Sequence, residues 1–197
     1  EAVVQQNFAA VDATLAHLYE IPVPGQPTSN LARPPIVSDE APDFVKRVLA
    51  PIMAAEGDTL PVSAMPVDGT FPTATSQYEK RNIALEVPIW NPEVCIQCGR
   101  CSLYCPHAVI RAKVYDAKHL ENAPATFKSV DARWREPEFK GKKYTVQISV
   151  EDCTGCGVCI EMCPAKDKQA VGRKAINFGP QLEVRAQERE NWAFFRE

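Results

Sequence analysis

The sequence predicts an α+β chain: a mainly irregular and helical first half, then a duplicated cysteine-rich unit with a long inserted loop. Three observations carry this expectation. The pattern Cys-x-x-Cys-x-x-Cys-x-x-x-Cys-Pro occurs twice, as Cys95, Cys98, Cys101 and Cys105 before Pro106 and as Cys153, Cys156, Cys159 and Cys163 before Pro164; together the copies use all eight cysteines. Alternating apolar residues mark short strands around both copies. Prolines and stretches without periodicity dominate what precedes them.

Taken in order, Val4, Phe8, Val11, Leu15 and Leu18 form one apolar stripe, which predicts an amphipathic helix over 2–19. Such a stripe is expected to dock on something. Residues 21–35 read as an extended linker, because Pro22, Pro24, Pro27, Pro34 and Pro35 block a helix. Phe44, Val45, Val48, Leu49 and Ile52 predict a second helix over 42–55, kinked or split at Pro51 and stopped by Gly57. Residues 58–85 have no firm period; Asp68-Gly69 predicts a turn, and Glu79-Lys80-Arg81 is a short charged run.

Val87 and Ile89 predict a brief strand, confined to an edge by Pro88. Ile110, Ala112 and Val114 alternate with Arg111 and Lys113; Val146, Ile148 and Val150 alternate with Thr145, Gln147 and Ser149; Ile176 and Phe178 flank Asn177. Each cysteine loop is thus expected to lead through a short helix into a strand, the copies being offset by 58 residues, with 116–143 inserted between them.

A net charge of −3 points to neither nucleic acid nor an anionic membrane surface. No apolar run approaches the roughly 18–20 residues of a membrane span, and Glu1-Ala2-Val3-Val4 does not open a secretory leader. The missing initiator Met suggests a piece of a longer polypeptide. Closely spaced thiols make an awkward disulfide framework, so a reducing compartment is expected: cytoplasm, or alternatively a mitochondrial matrix or related organelle.

The cysteine spacing is that of proteins holding two cubane iron–sulfur clusters. Three cysteines of one loop wrap three corners of a cube, and the fourth, before proline, reaches the other cube. Cys95, Cys98, Cys101 and Cys163 are therefore assigned to one [4Fe-4S] cluster, and Cys153, Cys156, Cys159 and Cys105 to the second. Such a cluster with four thiolates carries about −2, falling to about −3 on reduction, so backbone N–H groups must face the sulfurs. Gly99, Gly155 and Gly157 permit close backbone approach, and Ile96, Ile110, Val158, Ile160 and Ile176 are expected to exclude water. Structural zinc uses separated Cys-x-x-Cys pairs rather than triplets with a trailing Cys-Pro. His17, His107, His119, Lys166, Lys168, Trp90 and Trp134 are read as surface or packing residues, and no residue is assigned a catalytic role.

The cysteine half resembles bacterial two-cluster ferredoxins. Upstream, Gly57-Asp58-Thr59-Leu60-Pro61-Val62-Ser63, Asp68-Gly69-Thr70-Phe71-Pro72-Thr73-Ala74-Thr75, Glu79-Lys80-Arg81-Asn82-Ile83-Ala84 and Trp90-Asn91-Pro92 narrow the likeness. In that order they resemble the Glu-Lys-Arg (EKR) linker and adjoining ferredoxin domain of pyruvate:ferredoxin (flavodoxin) oxidoreductases. The resemblance implies four parts: the C-terminal helix of a preceding domain over 1–22, the linker domain over 23–86, the two-cluster domain over 87–182, and a connection toward a thiamine-binding domain over 183–197. It also implies a homodimeric parent that oxidises pyruvate to acetyl-CoA with thiamine diphosphate, Mg²⁺, coenzyme A and a third [4Fe-4S] cluster. This segment would pass electrons within that parent toward ferredoxin, flavodoxin or a fused flavin domain. A free-standing two-cluster carrier, the iron–sulfur domain of another 2-oxo acid oxidoreductase, and a zinc-stabilised scaffold remain alternatives.

Overall fold

The structure is a computed structural model describing residues 1–27, 29–30 and 35–197; the predicted linker residue Pro34 lies outside the described residues. The chain divides into two units, Glu1–Ile36 and Val37–Glu197. In the first, α1 spans Ala2–Ala16 and buries no residue. It stops three residues before the predicted end, where the His17 N–H turns back to the Ala13 and Thr14 carbonyls. Val4, Phe8, Val11 and Leu15 are exposed on it, while Leu18 falls beyond the helix. No helix among the described residues is long and apolar enough to cross a membrane.

The second unit opens with a π-helical turn, Val45–Leu49, that runs straight into α2, Ala50–Met53. The Ala50 N–H reaches five residues back to the Val45 carbonyl, and Pro51, with no N–H to give, sits in the first turn of α2. The predicted kink or split at Pro51 does not appear as a gap: helical backbone runs unbroken from the π-helical turn into α2. The stop is not Gly57. Ala55 takes the left-handed conformation (φ 61°), its N–H meets the Ile52 carbonyl at 3.1 Å, and the Glu56 N–H meets that of Pro51 at 2.9 Å. These two bonds close the helix in a Schellman arrangement before Gly57 is reached; Gly57 instead opens a 3₁₀ turn, Gly57–Thr59. Ala41, Val45 and Leu49 form a small core with Val37, Met53 and Tyr78. Short 3₁₀ turns follow, and Asp68 Oδ1 accepts from the Thr70 N–H at 3.0 Å around Gly69.

Two antiparallel sheets carry the cysteine loops. Among the described residues β1 (Glu86–Trp90) pairs only with β5 (Ile176–Pro180), an edge arrangement that accommodates Pro88. Its register sets Val87 against Gly179. A Cβ at Gly179 would stand 2.9 Å from Ile89 Cγ1, so the pair closes only around glycine. β2 (Ile110–Tyr115) pairs with β4 (Lys143–Ile148), whose other edge takes β3 (Val130–Asp131). β3 was not expected, since 116–143 read as loop throughout.

The alternation in β4 predicts one wet face, yet Tyr144, Thr145, Val146, Gln147 and Ile148 are all buried. The cause is α5, Gln181–Arg196. Gln181 donates to the Val150 carbonyl at 3.0 Å, Gln147 donates to Glu188 at 2.5 Å, and Asn191 accepts from Thr126 at 3.0 Å. Residues 183–197, expected as a connection, are therefore the body of a helix covering the polar face of β4. The opposite face contributes to the main core with Val87, Trp90, Val109, Ile110 and Ile176.

Burial pushes the Glu188 carboxyl above the usual carboxylate range, against the Gln147 hydrogen bond and the Lys128 charge. The folded chain thus binds this proton more tightly than the unfolded chain. Stability contributed by the group is present below the ordinary value of 4.5 and falls as pH rises through the raised folded value. Glu188→Gln should remove that slope: native-state hydrogen exchange of α5 should show the variant gaining protection over wild type as pH rises toward neutrality.

Candidate cluster-binding site

Positions 58 residues apart in the two cysteine segments share one backbone conformation. Gln97 and Gly155 have φ of 58° and 71°, and Gly99 and Gly157 have 70° and 79°. The short helices α3 (Arg100–Leu103) and α4 (Val158–Glu161) follow at the same offset. These left-handed turns aim N–H groups inward: Gln97 N–H meets Cys95 Sγ at 3.3 Å and Gly155 N–H meets Cys153 Sγ at 3.4 Å. The Ser102 and Ile160 N–H groups instead close the first turns of α3 and α4 on the Gly99 and Gly157 carbonyls, at 3.1 and 2.9 Å. The copies diverge after their prolines. β2 starts five residues after Cys105, whereas β5 starts thirteen after Cys163; the difference is a loop pinned by the Asp167 N–H on the Arg173 carbonyl at 2.8 Å.

The structure gathers the thiols into two foursomes. Cys163 lies in the electrostatic neighbourhood of Cys101, together with Cys95 and Cys98. Cys105 lies beside Cys153 and Cys159, together with Cys156. The second foursome lines a cavity walled by Pro88, Ile110 and Phe178. Cys95, Cys153 and Cys159 are buried, Cys101, Cys105 and Cys163 half-buried, and Cys98 and Cys156 exposed.

Burial, reinforced by the neighbouring cysteines, pushes Cys101 up to about 12 and Cys159 up to about 11; burial also raises Cys153. As free thiols these groups keep their protons at neutral pH, so anionic sulfur here requires a positive partner. Among the described residues no three His, Cys, Asp or Glu side chains converge closely enough for one metal ion. Soft sulfur donors grouped in fours, with N–H groups directed at sulfur, fit an iron–sulfur cluster.

Water exclusion differs from expectation. Ile110 and Ile176 are buried, but Ile96 is 53% and Val158 36% exposed: the loop backbone turns its N–H groups inward and these side chains out. Val109, Ala165 and Ala175 join the core in their place. Trp90 is core, edge-on to Tyr144 at 6.1 Å. His17, His107, His119, Lys166 and Lys168 are exposed. Gln97 escaped the sequence reading, which looked only for glycines; aligning the copies at their offset would have set it against Gly155.

The Glu-Lys-Arg run docks just ahead of the second cysteine loop. Lys80 pairs with Asp152 at 2.5 Å, Asp152 accepts from Ser149 at 2.5 Å, and the Asn82 N–H meets the Glu151 carbonyl at 3.2 Å. Arg81 pairs with Glu79 at 2.8 Å.

Comparison with known proteins agrees with this arrangement. Residues 30–84 match the EKR family, described as a domain of unknown function, and residues 94–166 match the 4Fe-4S dicluster domain family. A homologue from Synechocystis sp. is 54% identical over 196 residues, 99% of this chain and 16% of its own. A pyruvate-flavodoxin oxidoreductase of Nostoc sp. is 50% identical over 200 residues, 98% of this chain and 16% of its own. A pyruvate:ferredoxin oxidoreductase of Moorella thermoacetica is 44% identical over 194 residues, again 98% and 16%. The chain thus spans about one sixth of the length of the curated relatives it matches.

A Cβ at Gly155 would sit 3.4 Å from the Glu86 carbonyl oxygen and 3.5 Å from Ala84 Cβ, whereas Gly99 faces open space. Gly99→Ala should therefore incur only the left-handed backbone strain, about 1–2 kcal/mol, and Gly155→Ala that strain plus crowding against the Glu86 carbonyl. Iron retention after anaerobic reconstitution should fall further in Gly155→Ala than in Gly99→Ala.

Proposed function

From the homology of this chain to the EKR and 4Fe-4S dicluster segment of pyruvate-flavodoxin oxidoreductases, we propose that it is the internal electron-transfer segment of such an enzyme. When bound, two [4Fe-4S] clusters supply reversible one-electron chemistry. Cys95, Cys98, Cys101 and Cys163 hold one, and Cys153, Cys156, Cys159 and Cys105 hold the other. The supporting observation is that each foursome combines thiols from both motifs, with the N–H of Gln97 on Cys95 and that of Gly155 on Cys153. Those N–H dipoles stabilise anionic sulfur where water is largely excluded.

The matching backbones are the product of a duplication, with 116–143 inserted between the copies. The domain limits are 1–22 for the helix of a preceding domain, 23–86 for the EKR-type linker, 87–182 for the two-cluster domain, and 183–197 for the link toward a thiamine-binding domain. The parent oxidises pyruvate to acetyl-CoA with thiamine diphosphate, Mg²⁺, coenzyme A and a third cluster held elsewhere in its chain. It works as a cytoplasmic homodimer and delivers electrons to flavodoxin or ferredoxin. This segment supplies no catalytic group to the carbon chemistry.

Anaerobic reconstitution should give about eight iron and eight acid-labile sulfide per chain; stoichiometric zinc without sulfide would exclude electron transfer. Cys105→Ala should disturb the electron paramagnetic resonance signal of the cluster held by Cys153, Cys156 and Cys159. Selective loss of the signal from the Cys95 triplet would overturn the crossed assignment.

A further inference from the structure

The two cysteine loops share a backbone but not their bracing. In the second, the left-handed position is Gly155, for which positive φ is free of strain. In the first it is Gln97, a residue that pays for φ 58° in steric strain. Its side chain, 3% exposed, is fully engaged. Nε2 donates to the Asp131 carbonyl at 2.7 Å, and Oε1 accepts the Arg133 N–H at 2.8 Å. The amide thereby pairs with the backbone at the end of β3 and just beyond it, as another strand would. Arg133 completes the ring by donating from its guanidinium to the Cys95 carbonyl at 2.7 Å. Upstream, Lys128 donates to the Trp90 carbonyl at 2.9 Å. All of these partners come from the segment between the motifs.

At the equivalent positions of the second copy, the Ile148 and Cys153 carbonyls receive no cationic side chain among the described residues. The cations near that copy are placed differently. Lys80 is neutralised by Asp152, and Lys174 caps the Ile160 carbonyl at the end of α4 at 2.7 Å. The first loop alone carries a guanidinium on the carbonyl of a ligand residue.

We propose that Gln97 and Arg133 are positioning residues for the group held by Cys95, Cys98, Cys101 and Cys163. They clasp its ligand loop to segment 116–143 and hold its reduction potential above what that loop would have without them. The physics is direct. Gaining an electron adds negative charge, which a nearby fixed cation and a sulfur-directed N–H stabilise more in the reduced than in the oxidised state. The guanidinium is partly open to solvent, so screening moderates the effect without reversing its sign. This inference rests on the cluster-binding reading above.

The test is a potentiometric titration of the reconstituted full chain, followed by electron paramagnetic resonance, with iron counted in every sample. Cys98→Ser, which alters the wave of its own foursome, assigns the waves. Arg133→Gln should move the first wave to lower potential and leave the second in place, and Arg133→Lys should restore much of the shift. Gln97→Gly, which installs the residue of the other copy and relieves the strained φ, should lower the same wave at full iron content. If Arg133→Gln fails to load, Gln97→Gly against wild type decides in the same way. An unmoved first wave at full iron content, or equal movement of both waves, overturns the clasp. Wild-type protein that takes up no iron and sulfide overturns the cluster reading itself.

Discussion

Sulfur that is to be anionic in a protein interior must be met by N–H groups, and much of this structure follows from that constraint. Left-handed residues at two places in each cysteine loop turn the backbone so that its donors face Cys95 and Cys153. With the backbone facing inward, the intervening side chains face outward, which is why Ile96 and Val158 are exposed. The water barrier is then left to the strands. β1 with β5 and β2 with β4 close over the loops, and Val87, Ile110, Val146 and Ile176 fill the space between them. Burial that pushes Cys101 and Cys159 to about 12 and 11 also makes these thiols poor ligands until a positive group is present. Loading the site and charging its sulfurs are therefore one coupled event.

What the sequence made legible was whatever rested on local chemistry. Cysteine spacing located both loops. Alternation found β2, β4 and β5, and Pro88 marked β1 as an edge. What it missed depended on distant partners. β3 is two residues long and exists only because β4 offers an edge. The second face of β4 looked wet until α5 covered it. Ala55 ends α2 because two backbone bonds close there, although the sequence offered Gly57 nearby. Gln97 stands in a turn where glycine is the expected residue, and only the partners at 131 and 133 account for it.

The same contrast governs the candidate site. The crossed ligation proposed here, three thiols from one motif and one from the other, follows from the cysteine pattern. The pattern carries no information about how each loop is held from outside. That depends on residues remote in sequence: Lys80, which reaches Asp152 across 72 positions, and Arg133, which reaches Cys95 across 38.

Those two contacts suggest why the chain is larger than a pair of cysteine loops needs to be. The upstream Glu-Lys-Arg run anchors the approach to Cys153 by pairing Lys80 with Asp152, itself bonded to Ser149, and by setting Ala84 behind Gly155. The segment between the motifs anchors the approach to Cys95 through Lys128, Asp131 and Arg133. One brace places a neutralised ion pair beside its loop, the other a guanidinium with no carboxylate partner among the described residues. Two loops of one backbone design thus stand in different electrostatic surroundings, and the difference comes from the sequence added around them. For a segment proposed to pass electrons, inequivalence between its two foursomes is the property that identical loops alone could not provide.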